Sequence, residues 1–190
     1  MHESPSHIHA IKIICNLTRH RGNSKLLVFN NRRVVPAMVL AMSSPSVESR
    51  TYACRTLQNL SNDKSCRQDI AITKNLVESL VERVRLASDQ DEKLAAVCTL
   101  KNLSDEPSNL IPMTNTPECF ATLMQIAHGE DSNTTEMMQF QACDALATLS
   151  HFLRKIASSA SVELGTNNDT PKASELMNPT LKVVTCSQWT

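Results

Sequence analysis

Three asparagines, Asn16, Asn59 and Asn102, recur at a fixed step of 43 residues, each followed by leucine and then by threonine or serine. A carboxamide carries both a carbonyl acceptor and an N–H donor, so amides at this spacing can hydrogen-bond the backbone of an extended chain whatever its side chains are. A ladder of them fixes the direction and register of whatever it holds. Residues three and four positions away on a helix share the same face. That rule adds Lys12 and Arg19 to Asn16, Arg55 and Asn62 to Asn59, and Cys98 and Asp105 to Asn102. In a fourth copy Thr148 stands in the asparagine's place and brings Asp144 and His151 to the face. The residues gathered on this face as candidates are Lys12, Asn16, Arg19, Arg55, Asn59, Asn62, Asn102, Asp105 and Asp144.

Other chemistries find no support. Gly22, Gly129 and Gly165 are the only glycines and lie far apart, which excludes the clustered glycines of phosphate-cradling loops. His7 and His9 form the one local histidine pair; beside Cys15 they read as a solvated helix start, and no metal or cofactor is expected. An odd count of seven cysteines with no Cys-x-x-Cys argues for reduced thiols. Nothing pairs a nucleophile with a base, so an enzyme is not expected. Asn-x-Ser/Thr occurs at Asn16, Asn59, Asn102, Asn133 and Asn168, the first three as by-products of the repeat.

The elements that position the asparagines are legible from periodicity. Four segments follow Ala-x-x-x-(Leu/Ile)-x-Asn-Leu-(Ser/Thr) or a close variant, beginning at Ala10, Ala53, Ala96 and Ala142. Their stripes, such as Ala53, Leu57 and Leu60, recur at i, i+4 and i+7, one face of a helix. Such helices are expected near residues 5–18, 48–61, 91–104 and 137–150. After each of the first three comes a polar break, a short amphipathic piece and a longer helix: Val34 to Met42, Leu76 to Leu86, Cys119 to Ala127. One repeat is thus short helix, longer helix, long third helix. Its period lies within the roughly 40 to 47 residues of helical solenoid repeats. With aromatics at 3%, aliphatic side chains must fill the core, which suits helix-on-helix packing.

These residues resemble the armadillo repeats, related to HEAT repeats, of importin-α, β-catenin and plakoglobin-like proteins. Ala53 to Ser61 and Ala96 to Ser104 are similar to that family's third helix, and the resemblance covers roughly residues 3–157. It implies an all-α fold, a right-handed α-α superhelix (armadillo-type solenoid) of about three to four repeats, incomplete at the N-terminus. It also implies third helices lining a concave groove with the asparagines facing an extended ligand. The chain departs from the family in three ways. The first copy starts at the third helix, leaving Ile8, Ile11, Ile13, Ile14 and Leu17 without preceding helices, so an apolar patch and self-association are expected there. The importins are similar in carrying Trp four residues before the Asn, where this chain has Lys12, Arg55, Cys98 and Asp144. Recognition of basic nuclear-localisation segments is thereby disfavoured. The fourth copy lacks the Asn.

Net charge is zero, yet residues 1–60 carry +6 and residues 61–136 carry −6. The expected groove is basic at one end and acidic at the other, favouring a segment with acidic residues over Lys12 and Arg55. The expected role is a non-enzymatic scaffold that binds an extended protein segment, acidic where it crosses those two cations. Two alternatives stand beside it: nucleic-acid binding through Arg19, Arg21, Lys25, Arg32, Arg33, Arg50 and Arg55, and a fragment of a larger armadillo-containing regulatory protein. Against the first, Phe29 and Tyr52 are the only aromatics nearby for stacking bases. No apolar run suits a membrane span and no targeting leader is evident, so a cytoplasmic or nuclear address is expected. Residues 158–190 read as a linker and tail; Leu181 to Trp189 form either an incomplete further repeat folding on Phe152 and Ile156 or a docking tail.

Overall fold

The computed structural model describes residues 5–164 and is all-α. The tail expectations for Leu181 to Trp189, and with them Gly165, Asn168 and Cys186, lie outside the described residues. The chain forms two compact units, Met1–Phe152 and Leu153–Thr190.

Three long helices carry the repeated pattern: α1 (Pro5–Thr18), α4 (Val47–Ser61) and α7 (Gln90–Ser104). Each of the last two starts where the sequence supplies a cap. Ser46 accepts from the Ser49 N–H at 3.3 Å and Asp89 from the Glu92 N–H at 2.8 Å, with Glu48, Asp91 and Glu92 in the first turns. Each third helix is also closed at its C-terminus by a side chain six residues on. Asn23 donates to the Leu17 carbonyl, Arg67 to that of Ser61 and Asn109 to that of Leu103, at 2.9, 2.8 and 3.2 Å.

Between them run α2 (Arg21–Lys25) with a π-helical turn Leu26–Asn30, α3 (Val34–Ala41), α5 (Arg67–Ala71) and α6 (Leu76–Leu86). After α7 come α8 (Leu110–Asn115) and α9 (Cys119–His128). Pro36 and Pro112 both fall in the first turn of their helices, where the missing N–H has no intrahelical acceptor to lose. Helix α9 ends on Gly129 at φ +68°, and a Cβ there would run into the Gln139 side chain. The left-handed cap favours glycine, while the Gln139 amide is the far end of a flexible side chain that can move aside.

Packing in the first unit runs from one repeat to the next: α1 on α4, α4 on α7, and α3 on α6 on α9, with α3 and α6 also backing α4 and α7. Ala53, Leu57, Leu60, Ala96, Leu100, Leu103 and Ala142 are fully buried, so the stripe of small and aliphatic residues is the face that joins helix to helix. In the first copy Ile11 is buried and Ile8 and Ile14 half-buried, whereas Ile13 and Leu17 are exposed. Helix α10 (Glu136–Leu164) carries the fourth copy; residues 136–152 belong to the first unit. The expected linker from residue 158 is helical as far as Leu164. The Ser158 and Ser159 hydroxyls bond back to the Arg154 and Lys155 carbonyls at 2.9 and 3.0 Å, which lets these polar residues stay in a helix.

Candidate functional site

The asparagines that stand one repeat apart use their amide hydrogens inside the protein. Asn59 Nδ2 donates to Thr18 Oγ1 at 3.1 Å and to the Cys15 carbonyl at 3.4 Å. Asn102 Nδ2 donates to Ser61 Oγ and Asn62 Oδ1, both at 3.0 Å. Each receiving hydroxyl donates in turn to a carbonyl three residues back, Thr18 to Cys15 at 2.7 Å and Ser61 to Gln58 at 2.9 Å. The motif therefore works across helices at two joints: Asn59 and Asn102 reach to the previous copy, Leu60 and Leu103 pack in the core, and Thr18 and Ser61 receive the next Asn. Asn16, in the first copy, is exposed and its side chain has no hydrogen-bond partner among the described residues. Thr148 bonds its own helix, to the Asp144 carbonyl at 3.2 Å.

The charged members of the expected groove are paired as regularly. Lys12 on α1 meets Glu48 on α4 at 2.5 Å and lies 5.4 Å from the Tyr52 ring centroid. Arg55 on α4 meets Asp91 on α7 at 2.6 Å. Both pairs join residues 36 apart, the same register one repeat on. Lys101 on α7 bridges Asp105 at 3.0 Å and Asp144 on α10 at 3.2 Å, and Asp105 also takes Arg67 at 3.0 Å. The hydrogen bond that Lys12 donates to Glu48 holds its ammonium above the ordinary pKa. Burial pulls Lys101 down, but Asp105 and Asp144 together outweigh it and the net direction is up. Of the expected groove charges, Arg19 alone lacks an ion-pair partner among the described residues. On this face Lys12 and Arg55 each meet an acid from a later helix, and Lys101 meets Asp105 at the end of its own helix and Asp144 on α10, whereas Lys25, Arg32 and Arg33 enter no ion pair among the described residues.

Behind this face lies a second set of charges that periodicity does not reveal. Glu92 is completely buried and takes Arg50 Nε at 3.0 Å and Arg83 at 3.5 Å on one carboxylate oxygen. Arg50 also donates to the Ser44 and Pro45 carbonyls at 2.9 and 3.2 Å, tying the loop before α4 to α7 and α6. Lys93, 1% exposed, pairs with Asp131 in the loop after α9. Glu48, Asp91 and Lys101 are the site residues that sequence reasoning missed. The 36-residue offset between base and acid, which repeats for Lys12–Glu48 and Arg55–Asp91, is the sequence signal that went unused for the first two.

No group of three or more His, Cys, Asp or Glu among the described residues is placed to hold a metal ion. No helix among them is long and apolar enough to cross a membrane. An open cavity of about 260 Å³ is lined by Val84, Arg85, Lys93, Thr122, Ile126 and Asp131 among others, and by none of the nine candidate residues. Its charges are of mixed sign, so no single class of ion is selected there. No protein-family model and no curated protein matches the chain.

Proposed function

We propose that the chain is a non-enzymatic interaction scaffold of the armadillo type, in which the face shared by α1, α4 and α7 receives an extended segment of another protein. The observation that carries the reading is the repeated link from Asn to the hydroxyl of the preceding copy, twice at an offset of 41 residues. Helices joined in the same register present the same chemical face several times over, and a periodic face matches a periodic ligand. An extended chain is such a ligand, with backbone groups recurring every 3.2–3.4 Å or so. The sequential packing of α1 on α4 on α7 and of α3 on α6 on α9 supports a solenoid stack, whose stability comes from neighbour-to-neighbour interfaces.

The test uses a peptide selected from a random library displayed on phage against the full chain. A photo-reactive residue replaces Asn16 or Arg55 on the proposed face, or Ile72, which is 76% exposed after α5. Cross-linking from the first two and not from Ile72 supports the reading. Cross-linking from Ile72 alone, or failure to select any peptide, overturns it.

A further inference from the structure

We propose that the outward face of the segment running from α2 to the start of α3 docks on an anionic membrane surface, with Lys25, Arg32 and Arg33 against the lipid headgroups and Leu26 and Phe29 entering the interface between them. The contact is peripheral, and it uses none of the nine residues gathered on the α1, α4 and α7 face.

The charges argue first. Between Glu3 and Glu48 the sequence has six basic residues and no acidic one. Lys12 among them takes Glu48, whereas Lys25, Arg32 and Arg33 are exposed and enter no ion pair among the described residues. The second copy adds to the same neighbourhood. The turn Lys64–Cys66 packs on α2 and α5 packs on the π-helical turn; Lys64 in the first and Lys74 just after the second are likewise exposed and without an ion pair. Two acids accompany them: Asp63, which accepts from the Ser65 N–H and hydroxyl at 3.0 and 2.7 Å, and the exposed Asp69. Five cations against two acids leave a net positive field over this surface, of the kind that an anionic leaflet attracts within a Debye length.

The apolar residues argue second, and decide between anionic partners. Ser24 and Val28 are buried, while Lys25, Leu26, Phe29 and Asn30 face out, so residues one turn apart share the outer side. Leu26 is 55% and Phe29 44% exposed, and Ile72, one 43-residue step after Phe29, is 76% exposed. Below them Val28, Val34 and Val35 anchor the segment in the core. Large apolar side chains set among unpaired cations gain little from a polynucleotide, which is held by phosphate contacts and aromatic stacking. An anionic bilayer offers both complements, charge in the headgroups and hydrocarbon just beneath, and apolar side chains leave water on entering it.

The experiment measures co-sedimentation of the full chain with vesicles of phosphatidylcholine alone, and of phosphatidylcholine with about 30% phosphatidylserine. Binding is expected to the second only, and to fall more than tenfold between about 0.05 and about 0.5 M salt. Arg32→Gln with Arg33→Gln is expected to weaken it about thirtyfold, and Leu26→Asn with Phe29→Asn about tenfold. Leu86→Asn, equally exposed but at the far end of α6 from Lys74, should leave it unchanged. In a Phe29→Trp variant that also carries Trp189→Phe, tryptophan emission should shift to the blue on the anionic vesicles; this reading does not depend on the doubly substituted variants folding. No binding to anionic vesicles, binding indifferent to both paired substitutions, an equal loss from Leu86→Asn, or an unshifted emission overturns the inference. Tighter, salt-sensitive binding of a single-stranded RNA of about 20 nucleotides, unaffected by Leu26→Asn with Phe29→Asn, also overturns it and gives the patch to nucleic acid. None of these outcomes bears on the scaffold reading, which rests on other residues.

Discussion

Asn102 donates to the hydroxyl of Ser61 at 3.0 Å, and that hydroxyl passes its own hydrogen to the Gln58 carbonyl at 2.9 Å. The relay from Asn59 through Thr18 to Cys15 repeats it one copy earlier. A residue type suited to holding a ligand is therefore also the link between successive third helices, and its donor half is committed before any ligand arrives. The division of one carboxamide between stack and solvent gives the two roles separate tests.

Replacing Asn102 by alanine removes two donors from a half-buried interface and is expected to cost about 1–2 kcal/mol of stability. Ser61→Ala is expected to cost a similar amount, and the double variant less than the sum, because both remove the same bond. Asn16→Ala, whose side chain bonds nothing among the described residues, is expected to be neutral. Urea denaturation of the four variants checks all three statements. Additivity of Asn102→Ala and Ser61→Ala would show that the two residues do not share an interaction.

The third helices were legible because their burial repeats with the helical period, as at Ala53, Leu57 and Leu60, all fully buried. The start of α7 was legible to within a residue because Asp89 followed by Asp91 and Glu92 is a local cap signal. What a single window cannot contain is the partner 36 to 44 residues away. Lys12 and Arg55 read as free cations until Glu48 and Asp91 are brought beside them by packing. Nothing local marks Glu92 and Lys93, in the first turn of α7, as buried, yet both are, because Arg50, Arg83 and Asp131 converge on them from other elements. The direction of the asparagine amides depends on the same long-range contacts.

Among the described residues Glu92 is the only carboxylate on Arg50, and it shares its charge with Arg83, which also meets Glu82 at 3.4 Å, all within the region between α4, α6 and α7. Glu92→Ala leaves two guanidinium groups partly buried without their common partner and is expected to cost about 3–5 kcal/mol. Asp91→Ala, one residue earlier and 60% exposed, is expected to cost only about 0–1 kcal/mol. A triple variant with Glu92→Met, Arg50→Met and Arg83→Leu is expected to recover most of the loss, since the penalty comes from uncompensated charge. Thermal and chemical melts decide; a triple variant as unstable as Glu92→Ala would contradict this account.

Asp131 supplies a pH dependence with a defined sign. The hydrogen bond from Lys93, and after it the Asn133 backbone N–H, hold its carboxyl below the ordinary 3.8. A carboxyl lowered by folding binds fewer protons in the folded state than in the unfolded one. The stability it contributes is complete above the ordinary value and is lost as pH falls through the lowered one. Wild type is therefore expected to exceed Asp131→Asn in stability near neutral pH, with the difference closing below about pH 4. Denaturant melts from neutral pH into this range measure the gap; a gap that widens on acidification would reverse the sign.

The thiols separate by environment. Burial pushes Cys119 up to about 12 and Cys54 higher still, whereas Cys143 is exposed on α10. In a Cys186→Ser background, a maleimide at neutral pH is expected to label Cys143 first and Cys54 and Cys119 only on unfolding, since the thiolate is the reactive form. Peptide mapping by mass spectrometry identifies the sites. Early labelling of Cys54 would mean that the α4 interface opens in the native state.

The fourth copy offers a gain rather than a loss. Ser104 donates to the Lys101 carbonyl at 2.7 Å, as Ser61 does to Gln58, but its oxygen receives nothing from α10 because Thr148 bonds its own helix. The bridge from Lys101 to Asp144 at 3.2 Å brings the two helices together just before this point. The offset from Ser104 to residue 148 is 44, against 41 in the two working links, and the three extra residues match the longer step between the last two copies. Thr148→Asn is therefore expected to complete the relay and raise stability by about 0.5–1.5 kcal/mol, the usual worth of one internal hydrogen bond. Combined with Ser104→Ala the gain should vanish. A Thr148→Asn variant that stabilises equally with and without Ser104 would show that the amide found a different acceptor, and that the link between copies depends on more than the motif.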